Sequence, residues 1–283
     1  MSNNTDRTSS YVASEMPIGL DKELERLRNQ TLISWAKEAR NLQWLGLRDD
    51  MTVLELGSGP GFVSEGLLDL LPNGNLVSVE IDPVLVEKAR SYLQDKAGSR
   101  WKLIEGNVMQ VDLPDSTFDF IYGRYLFQHL PDPVGAAKEA LRLLKPGGTL
   151  VVTDVDDELV VFDPPASGET KAIEDRVMNH LKEHQASQGG NRLIGRRLTH
   201  ILRDAGYQNM VLEAIPMHND LDNVSSLMPT PTVEGMQHFI DEGILTLQEA
   251  EYVVKDAQEF EASDPVILIL LLMAAGQKPA TPQ

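Results

Sequence analysis

The sequence predicts a doubly wound α/β fold, a mostly parallel sheet with helices on both faces. Three observations carry this. From Thr52 onward, short apolar runs alternate with segments whose apolar residues step by threes and fours, as strand–helix alternation requires. The first run, Val53-Leu-Glu-Leu56, is delivered directly into a glycine-rich turn, Gly57-Ser-Gly59-Pro-Gly61. The next run, Leu76-Val-Ser-Val-Glu80-Ile81, ends in a carboxylate 23 positions after Gly57, near the offset of about 20 residues at which an acid meets ribose hydroxyls in such folds.

In order along the chain, residues 1 to about 15 are polar and rich in Ser, Asn and Thr, the composition of a loose tail. Leu20, Leu24 and Leu27, then Leu32, Trp35, Ala39 and Leu42, predict one or two amphipathic helices before the core. Glycines 57, 59 and 61 let the chain bend sharply at the end of the first strand and let a ligand approach its main chain. Pro60 sits where a helix can begin, because the first turn loses nothing when an N–H is absent. Asp82-Pro83 opens the helix after the second strand, with Leu85, Ala89 and Leu93 on its apolar face, and Ala137, Ala140, Leu141 and Leu144 mark another helix. Arg196 to Ala205 reads as a helix ending at Gly206, Asn209 to Ile215 as a strand, and Val266 to Ala275 as a buried strand, about half the length of a membrane span. Thr246-x-x-Glu249 is a capping box before Leu247, Ala250, Val254, Ala257 and Phe260.

The glycine turn on its own leaves a cofactor site and an ordinary tight connection both open. A dinucleotide turn of the Gly-x-Gly-x-x-Gly kind places a third glycine where this chain has Phe62, too bulky for close helix–strand packing. The order acid-x-Gly-x-Gly-x-Gly, here Glu55, Gly57, Gly59 and Gly61, instead resembles the first motif of the class I S-adenosylmethionine methyltransferases. Further blocks follow in that family's order: Trp101 to Val108, Leu113 to Arg124, Phe127-Gln-His129-Leu-Pro-Asp-Pro133, and Leu144-Lys-Pro-Gly-Gly-Thr to Asp154. The resemblance covers residues 51–156 closely and 195–275 more loosely.

The resemblance implies a Rossmann-like methyltransferase fold, a seven-stranded sheet with an antiparallel last strand and helical cap insertions. It divides the chain into a tail and helical cap at 1–47, a cofactor-binding core at 48–157 continued at 195–216, helical insertions at 158–194 and 217–263, and a last core strand and tail at 264–283. Both insertions are expected over the carboxyl ends of the strands, where open α/β sheets bind ligands. The implied cofactor is S-adenosylmethionine, held by Glu55 near its methionine portion, Gly57, Gly59, Gly61, Glu80 on the ribose, Ile81, Asn107 and Val108 at the adenine, and Arg124 as a carboxylate contact or loop-fixing group.

A sulfonium methyl donor is already electrophilic, so the chemistry asks mainly for alignment and exclusion of water, with no metal. His129 and Asp154 are the catalytic candidates: the first as a base or a structural turn residue, the second, with Asp156, as a group orienting a substrate amine. Tyr11 and His218 are candidates to close the pocket, and Trp35, Trp44 and Met236 to pack core or cap helices.

Composition narrows the partner. A net charge of −18 over 283 residues repels polyanions, which disfavours nucleic acid as substrate and leaves a small, neutral or cationic organic acceptor. Zero cysteines exclude a disulfide framework, a thiolate metal site and a cysteine nucleophile. No charged-then-apolar leader opens the chain, so a cytoplasmic protein without a membrane anchor is expected. The alternative to a methyltransferase is a protein of the same fold that binds the cofactor but regulates, or catalyses another reaction. Oligomeric state is left open.

Overall fold

A computed structural model describes residues 9–11, 13 and 19–280. The amino-terminal helix α1 (Leu20–Trp44) leads into β1 (Thr52–Leu56), α2 (Phe62–Leu70), β2 (Asn75–Glu80), α3 (Pro83–Ala97), β3 (Trp101–Glu105) and β4 (Phe118–Arg124). The chain continues through α4 (Pro133–Leu143), β5 (Leu144–Asp154), β6 (Val160–Asp163), α5 (Gly168–Ser187) and α6 (Leu198–Ala205). It ends with β7 (Gln208–His218), α7 (Gln237–Asp241), α8 (Leu247–Ala262) and β8 (Val266–Gln277).

Local chemistry sets the helix starts. The Asp82 side chain accepts from Val84 N–H at 2.8 Å with Pro83 in the first turn of α3, and Asp132 does the same for Gly135 N–H with Pro133 in α4. Thr246 and Glu249 close a reciprocal capping box on α8. Gly206, left-handed at φ 102°, ends α6.

The strands lie in the order β3-β2-β1-β4-β5-β8-β6, with β7 also paired to β8. From β1 to β5 every pairing is parallel, whereas β8 is antiparallel to each of β5, β6 and β7. Alternate side chains divide into two cores: Leu54, Ile121 and Val152 pack on one face of the sheet, Val53, Phe120 and Val151 on the other. Because β2 and β3 lie to one side of β1 and β4 and β5 to the other, the sheet's topological switch falls between β1 and β4, and a crevice opens at their carboxyl ends.

The sheet carries one strand beyond the seven expected. β6 lies inside the stretch read as a helical insertion, and it forms because β8 overshoots β5: Leu272 to Gln277 pair with β5, leaving Val266 to Ile269 to take β6 as partner. The stretch read as one or two helices before the core, Leu20–Trp44, is a single 25-residue helix. Trp44, expected to pack inside, is 65% exposed at the end of α1, while Trp35 lies against Gly66 of α2 and Met236 packs with Ile173, Leu245 and Ala250 in a small third core. No helix of the described residues is long and apolar enough to cross a membrane.

Candidate active site at the switch between β1 and β4

A cavity of about 400 Å³ occupies the crevice at the strand tips, within the size range of small-molecule sites. Its floor is the glycine turn. Gly57 and Ser58 N–H both donate to the Val79 carbonyl, at 2.8 and 3.1 Å, which fastens the turn to β2. Gly57 has φ 70°, the left-handed region that favours glycine, and a Cβ there would stand 3.0 Å from Leu126 Cδ1, which would have to shift. Glu80 completes the floor: Oε2 accepts from Gly59 N–H at 2.7 Å, and Oε1 from Ile81 and Asp82 N–H at 2.8 and 2.9 Å. Burial pushes its carboxyl up, against the pull of those N–H groups. A carboxylate accepts about four hydrogen bonds, so these three leave a direction on Oε2 for a ligand hydroxyl. Beside it, Ser58 Oγ is a buried side-chain polar atom with no hydrogen-bond partner among the described residues, and Ser58 lines the cavity.

Of the residues singled out from sequence, Gly57, Gly59, Glu80, Ile81, Asn107, Val108, Arg124 and His129 line this cavity. Tyr11 lines it too, whereas His218 does not. Three others, Glu55, Gly61 and Asp154, do not line it. Glu55 lies beneath the turn, 2% exposed, with Oε2 accepting from Ser64 Oγ at 2.5 Å and Ser78 Oγ at 2.7 Å. It ties α2 and β2 to β1, and burial pushes its carboxyl up to about 7, which makes it a poor fixed charge. Gly61 packs against α3: a Cβ would meet Leu93 Cδ1 at 3.0 Å and Ala89 Cα at 3.4 Å, so it fills the close-packing role that Phe62 cannot. Asp154 is fully buried and accepts from Gln128 and Val155 N–H at 3.1 and 2.9 Å, fixing the turn after β4; burial pushes it up to about 7. Its neighbour Asp156 is paired with Arg196.

The opposite wall comes from segments without a motif. Arg26, Leu27, Gln30 and Thr31, one face of α1, line the cavity, and so do Asp157 and Arg192 from beyond β5. A buried ion pair holds α1 in place. Arg124 Nε reaches Glu38 Oε2 at 2.8 Å, and Nη2 donates to Glu38 Oε1, Ser34 Oγ and the Gln30 carbonyl at 2.9, 2.9 and 2.8 Å. Burial opposes the charge on Glu38, yet Arg124, Ser34 and Tyr122 together hold its carboxyl below the ordinary range. Arg192 donates to Asp157 and to Gln185 Oε1, and Asn191 N–H donates to the Gln128 carbonyl at 2.7 Å, which binds this loop to the turn after β4. The expected cap is only partly there: the described residues of the 217–263 insertion contribute nothing to the wall, its first part packing Val224 and Leu227 on the sheet core and tying Asp222 to Lys37 of α1, its later part packing around α5.

His129 is held by the amino-terminal segment. Ser10 N–H donates to its carbonyl at 2.9 Å, Ser10 Oγ lies 3.0 Å from Nδ1, and the Tyr11 ring sits 5.3 Å away. Burial, reinforced by the positive charges of Arg192 and Arg26, pushes its imidazole down to about 4. Among the described residues no cluster of three or more His, Cys, Asp or Glu is placed to hold a metal ion.

Comparison with known proteins gives the context for this geometry. A family described as a methyltransferase domain matches residues 47–206, more than half of the chain. An uncharacterized 37.1 kDa protein in transposon TN4556 of Streptomyces fradiae is 29% identical over 59% of this chain and 46% of its own length. The ubiquinone/menaquinone biosynthesis C-methyltransferase UbiE of Enterobacter sp. (strain 638) is 23% identical over 71% of this chain and 74% of its own. The chain thus spans less than half the length of the streptomycete relative. A phosphoethanolamine N-methyltransferase 2 of Haemonchus contortus, in complex with phosphomonomethylethanolamine and S-adenosylhomocysteine, superposes with a TM-score of 0.56 at 15% identity, over 87% of this chain and 53% of that one.

Proposed function

The chain belongs to the methyltransferase-domain family, and we propose that it is an S-adenosylmethionine-dependent methyltransferase acting on a small organic molecule. The observation that carries this reading is the floor of the cavity: a glycine turn and a strand-end carboxylate, locked together by the 2.7 Å bond from Gly59 N–H to Glu80 and opening at the switch between β1 and β4. The residues there fit the cofactor. Glu80 retains an acceptor direction for a ribose hydroxyl, Ser58 Oγ is a buried polar atom with no partner among the described residues, and Ile81, Asn107 and Val108 wall the side nearest β2 and β3 for an adenine ring. The relatives named for C- and N-methylation of small molecules support a small acceptor.

When bound, the cofactor presents an electrophilic methyl group to a nucleophile held in line with it. The protein's part is to position and to exclude water. Leu126, Leu130 and Tyr11 wall the acceptor end, and the Ser10–His129 hydrogen bonds draw the amino-terminal segment across it. His129 stays neutral near pH 7, and a group titrating at about 4 is a weak proton acceptor there, so it directs the acceptor by hydrogen bonding. Asp157, a carboxylate of the cavity wall, is engaged by Arg192. The site therefore suits a nucleophile that reacts before its proton is lost to solvent.

Calorimetric titration with S-adenosylmethionine, S-adenosylhomocysteine and NADH tests the reading. Micromolar binding of both adenosyl ligands without NADH is expected, followed by methyl transfer to a small acceptor in a screen with labelled donor. Absence of adenosyl-ligand binding would overturn it.

A further inference from the structure

We propose that Arg26, on the amino-terminal helix and outside the family-matched segment, is the cation that holds the cofactor's α-carboxylate, with Glu23 and Tyr11 fixing its guanidinium. The inference rests on the cofactor reading above, and it replaces Arg124, the cation that the sequence offered for this contact.

The strand order sets where that carboxylate falls. With a ribose at Glu80 on β2 and the adenine end beside β3, the amino-acid end of the cofactor extends the other way, across Gly57 on β1 toward the tip of β4. Among the described residues three arginines line the cavity. Arg192 is bound to Asp157, beyond β5, one strand too far along the sheet. Arg124 stands at the β4 tip itself, since Gly123 pairs with Leu56, but its Nε and Nη2 are held by Glu38, Ser34 and the Gln30 carbonyl, and although its Nη1, like that of Arg26, has no hydrogen bond among the described residues, its side chain is only 6% exposed against 34% for Arg26. The same Gln30 contact lays α1 over the β4 tip and brings Arg26, one turn earlier, to that place.

Arg26 is built for the task. Glu23, whose side chain is fully buried, takes Nε at 2.8 Å and Nη2 at 2.6 Å, and its Oε1 also accepts the Tyr11 hydroxyl at 2.6 Å. One edge of the guanidinium is thereby pinned. The other, Nη1, has no hydrogen bond among the described residues, and the side chain is 34% exposed. A planar guanidinium fixed on one edge and open on the other is pre-organised for a carboxylate, and little rotamer entropy is lost when one arrives. The arrangement also explains why an arginine whose charge is already balanced by Glu23 lines a ligand cavity.

The test compares two ligands that differ at the methionine end. S-adenosylhomocysteine carries the α-carboxylate and 5′-methylthioadenosine lacks it, so Arg26→Gln is expected to weaken the first by about 10- to 100-fold and leave the second unchanged, by calorimetry. Arg26→Lys keeps the charge but not the fork, and is expected to fall between wild type and Arg26→Gln for S-adenosylhomocysteine only. If Arg26→Gln does not fold, the Lys variant alone decides, by the same contrast between ligands. Equal losses for both ligands would make Arg26 a packing residue and overturn the proposal, as would no loss for either, while the cofactor reading stood. A wild-type protein that binds neither ligand would overturn both together.

Discussion

The two ends of the cavity are built on different principles. The floor under Gly57, Gly59 and Glu80 comes from residues 57 to 80 of one continuous strand–helix–strand unit, and its contacts are largely backbone N–H groups meeting one carboxylate. The far wall joins segments separated by 86 positions between Glu38 and Arg124 and by 119 between Ser10 and His129, and a buried ion pair in the first case and neutral hydrogen bonds in the second hold it together. A site made of local backbone geometry tolerates substitutions that keep the turn. A site made of long-range ion pairs depends on single side chains, because losing one partner leaves a buried charge alone.

The sharpest break of this contrast is Glu38→Ala. It strands the Arg124 guanidinium with a 6% exposed side chain, and a destabilisation of about 3 to 5 kcal/mol is expected in denaturant or thermal unfolding. Next comes Glu80→Ala on the floor, which should weaken S-adenosylhomocysteine binding by about 1.5 to 3 kcal/mol, the range for hydrogen bonds to a charged group. Titration of the variant with the folded state verified by circular dichroism checks this, and unchanged affinity would move the ribose site elsewhere.

A smaller effect separates the floor's structure from its function. The Glu55 carboxyl titrates near 7 in the folded protein against an ordinary 4.5, so between those values the native state binds more protons than the unfolded one. That contribution to stability is fully present below about 4.5 and is lost as pH rises through about 7. Asp154 has the same sign and His129, pushed down, the opposite. Glu55→Gln removes one component alone, so the melting temperature of the variant relative to wild type should climb between pH 5 and 8, by the equivalent of about 1 to 3 kcal/mol. A flat difference would mean that Glu55 stays ionised. The smallest effect is expected at His129. If it directs the acceptor and does not take its proton, His129→Ala lowers turnover less than about tenfold, and the wild-type rate shows no inflection near pH 6.5; a loss of about a hundredfold or more would make it the base.

Much of the fold was legible because strand tips, caps and glycine turns are local. Asp82-Pro83, Asp132-Pro133 and Thr246 to Glu249 each announce a helix start through hydrogen bonds spanning two or three residues. β6 was not legible, since it exists only because β8 runs past the end of β5 and offers an unpaired edge. Within the site, sequence spacing alone placed Gly57 and Glu80 on one loop cluster. The fate of each acid did not follow from spacing: Glu55 turns under the sheet to two serines, Asp154 turns to backbone amides, and Glu80, with a similar strand-end position, faces the cavity.

What the sequence determined by itself is therefore the parallel core, the glycine turn and the acid that meets it, because period, caps and offset are short-range properties of the chain. Only the tertiary structure decided which cations face the ligand. Arg26, Arg124 and Arg192 are indistinguishable as residues, and it is the company each keeps, Glu23 and Tyr11, Glu38 and Ser34, Asp157 and Gln185, that sets where each guanidinium sits and leaves that of Arg26 34% exposed while Arg124 is buried to 6%. A charge in a low-dielectric wall is defined by its nearest partner, and partners brought together across the fold carry no signature in the local sequence.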